Sequence, residues 1–181
     1  MINRDSFFTK ARANPFGGSM TQGQVDGTND ILDAWENGSN SDIRRLAYML
    51  ATDKWETAHT MQPIAEYGHG TGKPYGVPDS VTGQVYYGRG LVQLTWKENY
   101  AKFADLLGVD LVNEPDLALQ PDIAVSIMFA GMGRGLFTGV GLPKYFNVDT
   151  DDPINARRVI NGTDQAGKIA DIHYAFLSAL S

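Results

Sequence analysis

The sequence predicts a mainly α-helical fold with one small glycine-rich hairpin or loop region. Three observations carry this reading. Apolar residues recur at helical spacing through most of the 181-residue chain. Ser, Thr and Pro starts and Gly stops punctuate those stripes. Between Gly68 and Gly90 the chain instead holds seven glycines and two prolines, which excludes a helix there.

Taken in order, residues 3–12 read as a first helix closed by the loop Asn14-Pro15-Phe16-Gly17-Gly18. Thr21 and Gln24 form a capping-box pattern. Val25, Leu32 and Trp35 follow as an apolar stripe that Gly38 ends. Ser41 is the expected cap of a third helix striped by Ile43, Leu46, Ala47 and Leu50, with Pro63 as its limit. Thr82-Gly83, between valine-bearing arms, predicts a small hairpin. Thr95 and Glu98 make a second capping box, opening a helix that Gly108 closes. Pro121 opens the next, running to about Gly133. Asp152-Pro153 starts a short helix that ends near Asn161-Gly162. Ile169, Ile172, Phe176, Leu177 and Leu180 stripe the last.

Composition narrows the function classes. Apolar residues make up 43% of the chain and charged residues 20%, which fits a packed core and not a disordered chain. The formal net charge of −6 lacks the basic footprint of a nucleic-acid binder and disfavours an anionic membrane surface. No segment approaches the ~20 apolar residues of a membrane span. With no cysteine, disulfides and thiolate metal sites are excluded. Arg4, Asp5 and Lys10 interrupt any leader-like run, so no signal peptide is expected and synthesis is placed in the cytoplasm. The length and the absence of repeats and linkers predict a single domain over 1–181. His59, His69 and His173 lack metal-binding spacing, so neither metal nor cofactor is expected. Gly70-Thr71-Gly72-Lys73 is not a phosphate loop, since Tyr67 stands at the first glycine position and Pro74 replaces the Ser or Thr.

Two carboxylates carry the chemical argument. Glu56 falls about 240° around the helix from Leu50, off the apolar stripe. On spacing alone it reads as a solvated residue. Trp55, Ala58 and Met61 nevertheless make its surroundings apolar, the setting in which a carboxyl group keeps a proton to donate. Glu66, ten residues on, stands in the polar glycine-rich stretch. Two carboxyl groups in unlike environments are what glycoside hydrolysis needs: one protonates the leaving oxygen, the other activates water or attacks the sugar. Downstream, the run from Tyr86 to Tyr100 sets flat aromatic faces beside glycines that permit close backbone approach. Short polar groups, Gln93, Thr95 and Asn99, surround the start of a helix there, although Thr95 is also explained as a simple cap.

Three stretches together, WETAHTMQPIAEYG, YYGRGLVQLTWKENY and VING, resemble glycoside hydrolase family 19, the family of chitinases and related phage endolysins. The resemblance covers roughly residues 43–162. It implies a lysozyme-like fold with two lobes around a central cleft, Glu56 as general acid, Glu66 as general base, and Thr95 as a holder of the attacking water. It also implies sugar contacts from Gln93, Asn99 and Asn161, with Tyr87 and Arg89 in the same motif. Met61-Gln62-Pro63-Ile64 and the short chain lean toward the endolysin branch. The expected reaction is therefore inverting hydrolysis of β-1,4 bonds in peptidoglycan, lysozyme-like, by a monomeric single catalytic domain with no separate wall-binding module, after holin-assisted release to the cell wall. The alternative substrate is chitin, and a reading of another class is a catalytically inactive glycan-binding protein. Two departures bear on this: Trp55 replaces the family's usual His before the acid, and a basic residue common in the last helix is replaced near Ile172.

Overall fold

The computed structural model describes residues 1–39 and 41–181. Among them six α-helices carry the chain: α1 (Arg4–Ala13), α2 (Gln22–Asn37), α3 (Ile43–Glu56), α4 (Lys97–Leu107), α5 (Pro121–Arg134) and α6 (Ala166–Leu180). Short 3-10 turns at Pro74–Gly76, Pro115–Leu119, Leu142–Lys144 and Asn155–Val159 join them. Two strands, β1 (Ile64–Ala65) and β2 (Arg89–Gly90), pair antiparallel, with Ile64 opposite Gly90 and Ala65 opposite Arg89.

Helix α3 is the central strut. Every residue from Leu46 to Lys54 is buried, polar Thr52, Asp53 and Lys54 included. A helix buried all round has no solvent face, so its apolar stripe understates how deeply it sits. Helix α6 packs along α3, α1 against α6, and α2 against α5 and α3. Phe7 of α1 stacks on Phe176 of α6 with ring centroids 6.4 Å apart. Burial of each such large apolar side chain contributes roughly 1.5–3 kcal/mol.

The ends of α3 differ from expectation. Its cap is Asp42, not Ser41: the Asp42 carboxylate accepts from the Arg44 backbone N–H at 3.2 Å and pairs with the Arg44 guanidinium at 2.6 Å. One side chain thus serves as cap and counter-ion. At the other end α3 stops at Glu56, well before Pro63. Thr57 closes it by donating its hydroxyl to the Asp53 carbonyl and accepting from the Met61 N–H. Ala58, His59 and Met61 then take left-handed φ values of 50°, 71° and 57°. Glu56 is consequently the last helical residue, held at a rigid end.

The predicted hairpin around Thr82-Gly83 is a turn without strands. The Asp79 carboxylate organises it, accepting from Lys97 Nζ and from the N–H groups of Val81 and Thr82. The real antiparallel pair, β1 with β2, closes a far wider loop that includes Glu66 and Gly88. Helix α4 is also opened differently. It starts at Lys97 after Trp96 at φ 75°, with no side-chain cap, and the Thr95 hydroxyl donates to the Gln93 carbonyl instead. The Thr95–Glu98 capping box does not form.

Two buried ionisable groups set a testable balance. His173 is fully buried on α6, stacked on Phe146 at 5.2 Å, with neither ring nitrogen hydrogen-bonded to protein. Burial pushes its pKa down to about 4; Asp151 and Asp42 oppose this more weakly, and Arg44 adds to it. Asp53, fully buried on α3, is pushed well above the usual carboxylate range by burial. Between pH 6.5 and 4 the unfolded chain binds a proton at His173 that the native state refuses, so stability falls as pH falls. Asp53 acts oppositely: the native state keeps a proton that the unfolded chain has lost. The two slopes offset one another. Removing His173 should expose the Asp53 slope, so His173→Leu is expected to gain about 3 kcal/mol relative to the parent as pH drops from 6.5 to 4. Urea unfolding at both pH values checks this. An unchanged difference between variant and parent would mean that His173 titrates as in a free chain.

Candidate active site

A cleft of about 350 Å³ opens where the end of α3 meets the β1–β2 loop and the Asn155–Val159 turn. Glu56 lies on one wall with Arg157, Ile160 and Asn161. Tyr75, from the glycine-rich segment, and Val92, Gln93 and Leu94, just beyond it, form a further stretch of wall. Thr95, Trp96 and Asn99 continue that wall into α4.

Glu56 is fixed by a guanidinium. Its Oε1 accepts from Arg157 Nη1 at 2.5 Å, and the two side chains are only 16% and 5% exposed. Arg157 is held in turn by donating Nε to the Asp164 carbonyl at 3.1 Å. The indole of Trp55 packs elsewhere, beneath Lys168 Nζ at 5.5 Å and 6.5 Å from the His59 ring. The apolar neighbour expected beside Glu56 is thus less important than a buried cation. That cation also answers the gap near Ile172: a basic partner reaches Glu56 from the Asn155–Val159 turn rather than from the last helix.

Glu66 follows β1 directly, and the strand pairing locks it. Its backbone N–H donates to the Gly88 carbonyl at 2.7 Å, and Gly88 N–H returns a bond to Oε2 at 3.0 Å. The Tyr75 hydroxyl donates to Oε1 at 2.9 Å. A Cβ at position 88 would stand 2.9 Å from Gln93 Oε1 and 3.4 Å from the Glu66 Cβ, so a larger residue there would displace the Gln93 amide. The His69 N–H also donates to the Glu66 carbonyl at 3.0 Å, so Glu66 is held by four hydrogen bonds rather than set in a flexible loop. It does not itself line the cleft; its link to that wall is Tyr75, which does.

The other predicted residues divide. Gln93, at φ 52°, lines the cleft and donates its amide to the carbonyls of Ile64 and Gly90, tying the wall to the strand pair. Asn99 lines it and donates to the Thr95 carbonyl at 2.8 Å, while Asn161 lines it one turn beyond Arg157. Tyr87 and Arg89 are not among the lining residues. Arg89 is 4% exposed and donates to Asp116, the Tyr100 hydroxyl and the carbonyls of Val85 and Tyr87. Its guanidinium is committed to holding the loop, with the Tyr87 ring stacked 3.6 Å above it and His69 stacked on Tyr87. Among the described residues no group of three His, Cys, Asp or Glu side chains could hold a metal ion.

Sequence reasoning missed Arg157 and the contact of Tyr75 with Glu66. A signal for Arg157 existed: an arginine pair one turn ahead of Asn161, within the apolar run from Ala156 to Ile160. For Tyr75 none did, since its reach to Glu66 depends on the loop path.

The sequence profile of the chitinase class I family, Glyco_hydro_19, matches residues 48–131, from the middle of α3 to α5. Over that stretch the chain is similar to glycoside hydrolase family 19. It is 36% identical over 101 residues to a basic endochitinase of Vitis vinifera, covering 48% of this chain and 32% of that protein. An endochitinase of Phaseolus vulgaris is 54% identical over 41 residues, 23% of this chain and 12% of its own length. The aligned stretches thus span less than a third of either curated relative. The structural likeness is broader. The crystal structure of chitinase C from Streptomyces griseus superposes with a TM-score of 0.59 over 99% of this chain and 92% of that one, at 24% identity. At that identity the likeness shows a shared fold.

Proposed function

We propose that this protein hydrolyses β-1,4 bonds in peptidoglycan by single-displacement inversion, with Glu56 as acid and Glu66 as base. The observation that supports this best is a cleft that Glu56 lines and to which Glu66 is joined through Tyr75, each carboxylate fixed by different partners. Glu56 is held by buried Arg157; Glu66, behind the lining, is held by Tyr75 and the Gly88 N–H. In the reaction Glu56 delivers a proton to the glycosidic oxygen as the C1–O bond breaks. Water attacks C1 from the opposite face and loses a proton to Glu66. The β-linked sugar is released as the α-anomer. An inverting pair needs roughly 6.5–9.5 Å between carboxyl groups to seat that water.

Chitin is the second reading, and the named activity of the relatives favours it. Both polymers carry N-acetylglucosamine in β-1,4 linkage, so the same acid and base serve either. Parallel digestion of purified peptidoglycan and chitin, with mass analysis of the new reducing ends, separates them. Muramic acid ends from peptidoglycan support the first reading, and cutting of chitin alone replaces it with the second. Binding to both without any new reducing ends would leave a glycan-binding protein.

Thr95 gives a narrower test. Its hydroxyl lines the cleft and does not cap α4, so its loss removes one hydrogen bond to the Gln93 carbonyl, about 1 kcal/mol. As a holder of the attacking water it should matter more to rate. Thr95→Ala is expected to lower kcat roughly ten- to a hundredfold while the unfolding midpoint moves little. Full turnover in Thr95→Ala would strip it of the water role.

A further inference from the structure

A second, smaller groove, of about 150 Å³, opens from the same aromatic pair that edges the catalytic cleft. Tyr75 and Trp96 line both spaces, their rings meeting edge to face at 5.3 Å. Tyr75 is bonded to Glu66, so the junction is mechanically tied to one of the two carboxylates. Trp96 is 46% exposed and sits at φ 75°. A large side chain in the left-handed region is strained, and such strain concentrates where a ligand is clamped. Its backbone is over-determined: Trp96 N–H donates to the Tyr86 carbonyl, and its own carbonyl receives the N–H groups of Asn99 and Tyr100. The half-exposed indole is therefore held in place, not left by chance.

Beyond that pair the groove runs between Val77, 65% exposed, and Glu98. Asp79 and Lys97 neutralise one another at 2.8 Å. Glu98, exposed in the first turn of α4, has no cationic partner among the described residues. The groove thus offers an apolar flank, Pro74 and Val77, and one uncompensated negative charge.

A linear glycan needs one path through the site. Two spaces that diverge from one aromatic junction suit a chain that carries a branch. We propose that the side groove receives the short peptide borne by muramic acid, with Glu98 facing the free amine of its diamino acid and Val77 its apolar backbone side. This rests on the peptidoglycan reading above and specifies how the enzyme tells that substrate from chitin.

The test uses glycan strands of peptidoglycan, uncross-linked, in two forms: with their stem peptides, and after an amidase has removed them. Both keep the same sugar backbone. The parent protein is expected to cleave peptide-bearing strands with a higher kcat/KM. Val77→Trp fills the groove from an exposed position, and Glu98→Gln removes the charge while keeping the shape. Each should lower kcat/KM on peptide-bearing strands about tenfold, toward the value for stripped strands, and leave stripped strands and short chitin oligomers unaffected. An equal loss on all substrates would overturn the proposal, placing the groove on the path of the sugar chain itself. No loss on any of them would overturn it too. Should the parent cut peptidoglycan but prefer neither form, the groove assignment falls and the peptidoglycan reading stands. If the parent cuts only chitin, both fall.

Discussion

Glutamine at position 56 is expected to lower kcat by ~10²–10⁴. The glycosidic oxygen leaves as a strongly basic alkoxide unless it is protonated, and an amide has no proton of suitable acidity to give. Binding should survive, because the side chain keeps its size and still accepts a hydrogen bond. Stability should not survive intact. Arg157 is 4% exposed, and Glu56 is the carboxylate paired with it. Losing one member of a buried ion pair leaves a desolvated charge, and outright removal costs about 3–5 kcal/mol. The amide oxygen retains part of the contact, so a loss of roughly 1–3 kcal/mol is expected. The double variant Glu56→Gln, Arg157→Gln separates the two effects: stability should partly return while turnover stays low. Near-parental hydrolysis by folded Glu56→Gln would mean that another group supplies the proton.

Much of this architecture is legible from local chemistry. The Thr21–Gln24 capping box forms as its residues require, and Gly38 and Gly108 end α2 and α4. Those signals lie within a few residues of what they control. The misplaced features share a different origin. Ser41 yielded the cap to Asp42 because the aspartate gains an arginine partner at the same time. Thr95 did not cap α4 because Trp96 takes a left-handed conformation that redirects the chain, and the Thr95 hydroxyl turns back to Gln93. The end of α3 came early because Thr57 bonds both sides of the break, a stronger local stop than a distant proline.

The same division holds at the site. Glu56, Gln93, Thr95, Asn99 and Asn161 are identified by motif, and the fold sets all five on one cleft. Arg89 belongs to the same motif but serves beneath it, since a glycine-rich loop needs buried donors to hold its carbonyls. Arg157 lies about a hundred residues from Glu56 in sequence, and no periodicity links them. What joins them is the packing of α3 on α6 and the turn that precedes α6.

Glutamine at position 66 is expected to cost kcat about 10²–10³-fold, somewhat less than glutamine at 56. A carboxylate that takes a proton from water makes it a far better nucleophile, and an amide cannot take one. Water at a well-oriented position still attacks slowly, which leaves residual turnover. The structural outcome follows from the two hydrogen bonds that the Glu66 side chain accepts. Oε2 receives the Gly88 N–H, so an amide nitrogen placed there would face another donor. Oε1 receives the Tyr75 hydroxyl, which can rotate and accept instead. The new amide should therefore put its oxygen toward Gly88 and its nitrogen toward Tyr75, keeping the β1–β2 loop closed. The unfolding midpoint should stay within a few degrees of the parent, in contrast to Glu56→Gln. Added azide offers a sharper readout: a small anion admitted to the space of a shortened side chain can replace water as nucleophile. Glu66→Ala with azide is expected to regain turnover and to yield a glycosyl azide of inverted configuration. A folded Glu66→Gln protein with full activity on the cleaved polymer would reassign the base, and with it the role of the wall that Tyr75 and Gly88 hold in place.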